Sequence, residues 1–178
     1  MGCQPSTVLR AVREVENPAE YSFIDIGCGK GRALAVASKA GFRRVIGVEL
    51  SPELCRIAEA NSKTLAGRYA DHPVIEIVES NAVTYPLPSG NVLIFLFCPF
   101  DAETVALFSK SVEAAQKAEK RNIIIAYAYP VHSNVFDGMN GFRRVLDEWV
   151  PVTESESAFA EYQRYKVMTW QNMDVAVS

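Results

Sequence analysis

A glycine-rich segment that begins with an acidic residue is the clearest chemical feature of this 178-residue sequence. It reads Asp25-Ile-Gly27-Cys-Gly29-Lys-Gly31. Glycines permit a tight turn and let backbone N–H groups approach a ligand without interference from Cβ atoms. The GxGxG spacing differs from the GxGxxG of dinucleotide-binding loops, and the Asp25 carboxylate would repel a pyrophosphate. The segment therefore predicts a ligand with a cationic head, such as the ammonium group of an amino acid.

A second acid and its neighbours extend this site toward a nucleoside. Glu49 follows the glycine loop by about 20 residues, where a carboxylate that accepts hydrogen bonds from both ribose hydroxyls is expected. Leu50 can pack under a purine ring. Asn81 can accept a hydrogen bond from an exocyclic amine, or it can serve a turn after a strand. For Glu49 the alternative is an exposed acid at a strand end.

The segment FLFCPFD at 95–101 begins as an apolar strand and stops at Cys98-Pro99. Cys98 is a candidate for the rim of an active site, although a thiol is a weak hydrogen-bond partner. A buried, unreactive cysteine is the alternative. Tyr129 and His132 lie at or just past the end of another strand. They can line a substrate pocket or take a proton, and the alternatives are aromatic packing and a surface histidine.

The elements that must position these residues alternate along most of the chain. The apolar patterns predict strands and helices; the strands are 21–26, 43–50, 74–78, 91–97, 122–129, 142–150 and 162–170, and the helices are 6–15, 32–40, 52–66 and 101–120. This order predicts an α/β fold, doubly wound, with a mostly parallel sheet and helices on both faces. The segment between the last two strands is too short for a parallel crossover, so we expect them to be antiparallel. Residues 91–97 are apolar on both faces and should be central.

Composition and charge narrow the possible functions and partners. The net charge is −3, and Lys and Arg are dispersed apart from the pairs at 43–44 and 143–144, so nucleic acid is an unlikely partner. The sequence contains no apolar run long enough to span a bilayer, so no membrane partner is expected. The four cysteines are widely spaced without a CxxC pair, which favours a cytoplasmic protein without a metal site. The sequence does not indicate an oligomeric state.

Four segments together resemble the class I S-adenosylmethionine-dependent methyltransferases, whose Rossmann-like fold has seven β-strands. They are FIDIGCGKGRA, VIGVELS, VESNA and FLFCPF, and within the superfamily they are most similar to a poorly characterised bacterial subset. The resemblance implies S-adenosyl-L-methionine as the cofactor. It also implies that Gly27, Gly29 and Gly31 wrap the methionine part, that Asp25 holds the ammonium group and that Glu49 holds the ribose.

The same resemblance implies further contacts with the cofactor. Asn81 stands where the family usually has Asp beside the adenine amine, and an amide oxygen can also accept that hydrogen bond. Cys28, Leu50 and Ala82 complete the predicted cofactor-binding residues. Cys28 lies inside the glycine loop, where its small size matters.

The resemblance also implies a single methyltransferase domain over residues 1–178. Within it we expect an N-terminal helix or lid at 1–20, a cofactor-binding core at 21–130 and an antiparallel strand pair at 131–178. The implied reaction is methyl transfer by in-line displacement to an unidentified small-molecule or protein acceptor.

The acceptor of this reaction should approach Cys98 and Tyr129, which are the candidate catalytic residues. Many amine-modifying relatives have Asn or Asp at the position of Cys98. Two alternative functions are a non-catalytic subunit that binds the cofactor and an NAD(P)-binding oxidoreductase. The glycine spacing, Asp25 and the antiparallel ending argue against the oxidoreductase.

Overall fold

The computed structural model describes residues 2–68 and 73–173. These residues form a sheet of seven strands: β1 (Tyr21–Ile26), β2 (Arg44–Glu49), β3 (Ile75–Glu79), β4 (Asn91–Phe97), β5 (Ile123–Ala128), β6 (Phe142–Pro151) and β7 (Arg164–Asn172). Their spatial order is β3-β2-β1-β4-β5-β7-β6. All seven predicted strands are therefore present.

The sheet is parallel from β3 to β5 and antiparallel at its far edge. Each neighbouring pair among β1 to β5 is parallel, whereas β7 is antiparallel to both β5 and β6. The predicted antiparallel ending is confirmed. The position of β4 near the centre is also confirmed, since β1 and β5 flank it. Both faces of a central strand are covered, which explains its continuous apolar run.

The helices are α1 (Pro5–Val12), α2 (Arg32–Ala37), α3 (Pro52–Arg68), α4 (Ala102–Ala118), α5 (Ser133–Asp137) and α6 (Glu154–Ser157). Both α1 and α2 end earlier than predicted, at residues 12 and 37 instead of 15 and 40. Tighter turns continue each one, with bonds such as Val15 N–H to the Val12 carbonyl and Ala40 N–H to the Ala37 carbonyl. The apolar spacing therefore persists beyond the α-helical hydrogen bonds.

Two apolar clusters cover the two faces of the sheet. One cluster packs strand residues such as Phe95 against α1 and α2. The other cluster packs strand residues such as Leu96 against α4 and α5. Helices thus lie on both faces, which confirms the doubly wound architecture. No helix among the described residues is long and apolar enough to cross a bilayer.

Candidate active site

The glycine loop and Glu49 lie at the same edge of the sheet because β1 and β2 are parallel neighbours. Ile26 is in register with Val48, so the two strands end together. The first two N–H groups of the loop, from Gly27 and Cys28, continue the pairing by donating to the Val48 carbonyl at 2.9 and 3.1 Å. The carboxyl edge of a parallel sheet is where ligands bind in doubly wound folds.

The loop glycines adopt left-handed backbone conformations for different reasons. Gly27 has φ 75°, and a Cβ atom there would lie 2.8 Å from the Pro99 side chain. Gly29 has φ 54°, but a Cβ atom there would meet no atom within 4 Å. Gly31 donates its N–H to the Cys28 carbonyl at 2.9 Å and precedes α2. Gly27 therefore allows close contact with the end of β4, whereas Gly29 borders open space.

Asp25 is a buried acid that has no cationic partner within residues 2–68 and 73–173. It is 4% exposed, and no described residue forms a hydrogen bond or an ion pair with its carboxylate. Burial, and secondly the negative charge of Glu49, raise the pKa of Asp25 to about 8. The carboxyl group is therefore largely protonated at neutral pH, and a ligand with a positive charge would favour its ionised form.

Glu49 connects the glycine loop to the start of α3. Its Oε2 accepts a hydrogen bond from Gly29 N–H at 3.0 Å. Its Oε1 accepts from Leu50 N–H and Ser51 N–H, both at 2.9 Å. A carboxylate has about four lone-pair sites, so Oε2 can accept one ligand hydroxyl without losing a bond. A second hydroxyl would have to replace one of these N–H groups.

A cavity of about 420 Å³ adjoins the loop. Its lining residues come from the N-terminal residues, β1, the glycine loop, α2, α3 and β4: Gly2, Cys3, Asp25, Gly27, Cys28, Gly29, Lys30, Arg32, Leu54 and Phe97. It thus brings together four residues that the sequence predicted for cofactor binding. A second cavity, of about 390 Å³ and including Lys117 and Arg121, lies at the opposite edge of the sheet. The first is the candidate site, because the buried acid and the glycine loop line it.

The predicted adenine contacts lie outside that cavity. Leu50 is 67% exposed, and Ala82 is buried in the apolar cluster beneath α4. The Oδ1 atom of Asn81 accepts a hydrogen bond from Val83 N–H at 2.9 Å. This bond is the one expected if Asn81 stabilises the turn after β3. The amide oxygen retains a second lone pair, so its contact with an adenine amine stays a prediction.

The ends of β4 and β5 carry unusual backbone conformations. Cys98 has φ 40° and Tyr129 has φ 53°, and they are the only non-glycine residues with positive φ in the described ranges. They are neighbours, because Phe97 pairs with Ala128 in the sheet. Strained residues are often concentrated at functional sites, so this pair fits the predicted rim. Their catalytic roles stay predictions.

The side chains at this rim divide between the two faces of the sheet. Phe97 lines the cavity and packs against the cluster beneath α1 and α2. Cys98 packs against the opposite cluster, beside Tyr127. Burial, and secondly the interaction with Cys98, raise the pKa of Tyr127 to about 12. Cys98 therefore borders the apolar interior rather than the cavity.

An aromatic stack extends from the cavity along the carboxyl edge. The rings of Phe97 and Tyr129 are 6.2 Å apart with an interplanar angle of 23°. Those of Tyr129 and Tyr162 are 5.7 Å apart at 22°. Tyr165 supports the stack from the side, and its hydroxyl accepts hydrogen bonds from the N–H groups of Glu161 (3.2 Å) and Tyr162 (3.4 Å). The sequence analysis missed Tyr162 and Tyr165, because their contacts depend on the path of the segment between β6 and β7.

The N-terminal residues also border the cavity. Gly2 and Cys3 line it, and Nη1 of Arg32 donates to the Cys3 carbonyl at 3.2 Å. Burial is the main reason that the pKa of Cys3 rises to about 12. Residues 2 and 3, rather than α1 itself, thus contribute to the site, and a lid function of residues 1–20 stays a prediction. His132 immediately precedes α5. The described residues contain no group of three His, Cys, Asp or Glu side chains suited to a metal ion.

Comparison with known proteins relates this arrangement to methyltransferases. A sequence family described as a methyltransferase domain matches residues 24–99, from β1 to the end of β4. The chain is similar to the ribosomal protein L11 methyltransferase of Alkaliphilus metalliredigens, with 29% identity over 115 residues. The match covers 64% of this chain but only 34% of that relative.

Solved structures share the fold at low sequence identity. Magnesium protoporphyrin IX methyltransferase from Synechocystis, with bound S-adenosylmethionine, has a TM-score of 0.64 and 14% identity, covering 94% of this chain and 77% of that one. Precorrin-6y C5,15-methyltransferase from Geobacter metallireducens has a TM-score of 0.66 and 16% identity over 93% and 87% of the two chains. A 23S rRNA methyltransferase has a TM-score of 0.61 and 14% identity over 100% and 72%. The comparisons therefore do not support the expectation that nucleic acid is an unlikely partner.

Proposed function

We propose that this chain, which belongs to the class I S-adenosylmethionine-dependent methyltransferase superfamily, binds S-adenosylmethionine beside its glycine loop. We further propose that it transfers the methyl group to an acceptor at the ends of β4 and β5. The buried Asp25 carboxyl group carries the proposal, because it lines the cavity without a cationic partner among the described residues. An ammonium group beside Asp25 would favour its ionised form, whereas a pyrophosphate would oppose ionisation and gain nothing from the acid, which disfavours the oxidoreductase alternative.

The residues present fit the parts of this cofactor. Asp25 can accept the ammonium group, and Lys30 N–H, which forms none of the loop bonds described above, can donate to the ligand. Oε2 of Glu49 can accept a ribose hydroxyl while it still holds Gly29 N–H. The cofactor supplies a methyl group activated by a sulfonium. The chain supplies binding and orientation, and the Phe97 ring excludes water from one wall of the cavity.

The acceptor side offers aromatic surface rather than a base. Phe97, Tyr129 and Tyr162 present their stacked rings next to the cavity. The pKa of Tyr127 is raised to about 12, mainly by burial, so this phenol stays protonated at neutral pH. We propose that the rim selects and orients the acceptor and that a general base is optional for this chemistry.

The acceptor class remains part of the proposal. The relatives described above are named for a ribosomal protein, a porphyrin, a precorrin and an rRNA. We keep a small-molecule or protein acceptor as the leading proposal and include RNA in its test. A single domain over residues 1–178 and a cytoplasmic location also stay predictions.

Calorimetry with S-adenosylhomocysteine tests the cofactor site. We expect binding by the wild-type protein and a loss of about tenfold or more in Glu49→Gln, because a charged acceptor is removed. Glu59→Gln on the exposed side of α3 is the matched control and should bind like the wild type. If folded wild-type protein does not bind millimolar ligand, the proposed function is wrong. An unchanged affinity in Glu49→Gln would remove only that residue from the site.

A transfer assay with cofactor labelled in its methyl group tests the acceptor. The protein is incubated separately with the small-molecule, protein and RNA fractions of a cell lysate, and label is counted in each. Label in a small-molecule or protein fraction supports the proposal, and label in RNA alone corrects the acceptor class. Cofactor binding without transfer to any fraction would support the non-catalytic subunit instead.

A further inference from the structure

The second cavity, of about 390 Å³, lies at the edge of the sheet opposite the glycine loop. Its lining within the described residues includes three cations and three side-chain amides but no acid: Lys117, Lys120, Arg121, Gln116, Asn140 and Asn172. The volume falls within the range of small-molecule sites. A concave surface with charges of one sign attracts ligands of the opposite sign. The cavity therefore favours a small anion.

Arg121 is a buried cation whose hydrogen-bond donors are only partly used. It is 5% exposed, and its Nη1 donates to the carbonyls of Pro88 and, at 3.4 Å, of Gly90. Its Nε is enclosed and has no acceptor among the residues that the structure describes. A buried donor without an acceptor is rare in folded proteins. This donor points to a group that the described part of the chain does not supply.

The charge of Arg121 is also incompletely compensated. The Glu119 carboxylate lies 3.5 Å from Nη1, but its other oxygen accepts Gly90 N–H at 2.9 Å. Burial lowers the pKa of Arg121, and the charge of Glu119 opposes this effect without cancelling it. An anion beside the guanidinium would compensate for the remaining loss of solvation.

The position of this guanidinium is fixed from two sides. Nδ2 of Asn172 donates to the Arg121 carbonyl, and Oδ1 of Asn172 accepts Ile123 N–H, both at 2.8 Å. The bonds from Nη1 hold the other end of the same residue. A cation that is oriented before the ligand arrives loses little entropy on binding.

Two lysines add flexible positive charge to the same cavity. Lys117 lies in the last turn of α4, and Lys120 lies two residues past its end. Both are exposed, and neither forms an ion pair within residues 2–68 and 73–173. A lysine ammonium on its flexible stem can approach an anion that a fixed guanidinium already holds.

A phosphate group fits this cluster better than a carboxylate does. A phosphate monoester carries a charge of about −1.5 to −2 at neutral pH and three acceptor oxygens, so it can pair with a guanidinium and an ammonium together. An RNA backbone fits less well, because two acids border the cluster. Glu113 accepts Asn140 N–H at 2.7 Å, and Glu119 approaches Arg121. They confine the positive charge to a small patch, whereas nucleic-acid sites present an extended basic stripe.

We propose that this cavity binds the phosphate group of a small phosphorylated molecule, with Arg121 as the fixed cation and Lys117 and Lys120 as the flexible ones. The site lies away from the cofactor cavity, so it goes beyond the proposed methyl transfer and does not depend on it. Inorganic phosphate presents the same chemical group, and the experiment separates the two sources.

NMR titration of the isotope-labelled full chain tests the site at constant ionic strength. The probes are inorganic phosphate, glycerol phosphate, glycerol and acetate. We expect saturable shifts of the backbone amides of residues 116–121 and 140–141 with both phosphates at millimolar concentration, and none with glycerol. Tighter binding of glycerol phosphate identifies a phosphate monoester as the ligand class and supports the proposal. Equal or tighter binding of inorganic phosphate identifies the free anion and corrects the source.

Substitutions then assign the binding to individual cations. Lys117→Gln and Lys120→Gln should each weaken phosphate binding by roughly threefold or more, because each removes a charged partner. Lys110→Gln, on an exposed part of α4, is the matched control and should change it by less than about twofold. Arg121→Lys keeps the charge but loses the fork and should weaken binding by roughly tenfold. The two exposed lysines keep the test valid if replacement of the buried arginine prevents folding.

Four results would overturn the inference. The first is the lack of a saturable shift in folded wild-type protein at millimolar phosphate. The second is equal weakening by Lys110→Gln and the two cavity-lysine variants, which indicates diffuse charge screening. The third is acetate binding as tight as that of phosphate, which assigns the site to carboxylates. The fourth is a set of phosphate shifts confined to the glycine loop, which places the anion in the other cavity.

Discussion

Replacement of Asp25 by asparagine should remove a large pH dependence from the folding stability. Burial, then the charge of Glu49, raise the pKa of Asp25 from 3.8 to about 8 in the folded protein. Between these values the folded carboxyl keeps its proton, whereas the unfolded chain has released it. Folding therefore takes up a proton, and this contribution to stability is present below pH 4 and lost as the pH rises toward 8.

The size of the effect follows from the width of this pH window. Each unit of pKa shift corresponds to about 1.4 kcal/mol, so complete linkage over the window would give ~6 kcal/mol. Asp25 lines a cavity of about 420 Å³, and water in the cavity reduces the penalty for the ionised form. We therefore expect the wild type to lose about 2–4 kcal/mol relative to Asp25→Asn between pH 4 and 8.

Urea denaturation of both proteins from pH 4 to 9 measures this difference. The stability of Asp25→Asn minus that of the wild type should rise with pH and level off above pH 8. Saturating S-adenosylhomocysteine should flatten the rise, because its ammonium group would stabilise the ionised carboxylate. Glu59→Gln serves as the control for an exposed acid. A difference that stays constant within about 0.5 kcal/mol from pH 4 to 9 would refute the reasoning.

Three further substitutions or reactions test other parts of the site. Gly27→Ala should lower the free energy of unfolding by about 1–3 kcal/mol, and by more than Gly29→Ala, because only Gly27 lacks room for a Cβ atom; equal losses in denaturation would contradict this. Tyr165→Phe should lower the free energy of unfolding by about 1 kcal/mol and speed amide exchange at residues 161–162, which lose their acceptor; unchanged exchange would exclude the role of the hydroxyl. Iodoacetamide should alkylate Cys98 first, because the other three cysteines are buried; mass spectrometry showing earlier labelling of another cysteine would count against this packing.

The central strands β1 and β4 were predictable because they are buried along almost their whole length. All six residues of β1 are buried, and β4 is buried at its five central positions. Continuous apolar runs separated by helical patterns leave few alternatives to a parallel sheet. The meeting of Asp25, the glycine loop and Glu49 then follows from the topology, since parallel strands end at one edge.

Contacts between residues far apart in the chain could not be predicted in the same way. Arg32 reaches Cys3 across 29 positions, and the path of the N-terminal residues has no periodic pattern. The positive φ of Cys98 and Tyr129 goes against the preference of both residue types. The short helices α5 and α6 have 5 and 4 residues, too few for a helical period to be recognised.

The Glu49 carboxylate accepts one N–H group from the glycine loop and two from the residues before α3, so it ties the loop to the start of α3 before any cofactor arrives. Fixing a backbone residue costs roughly 1–2 kcal/mol of conformational entropy, and here that cost is met during folding instead of binding. Glu49 therefore contributes to affinity twice, as an acceptor for the ribose and as the anchor of a rigid receptor. Its removal should make ligand binding entropically less favourable, even where every loop contact with the ligand can still form.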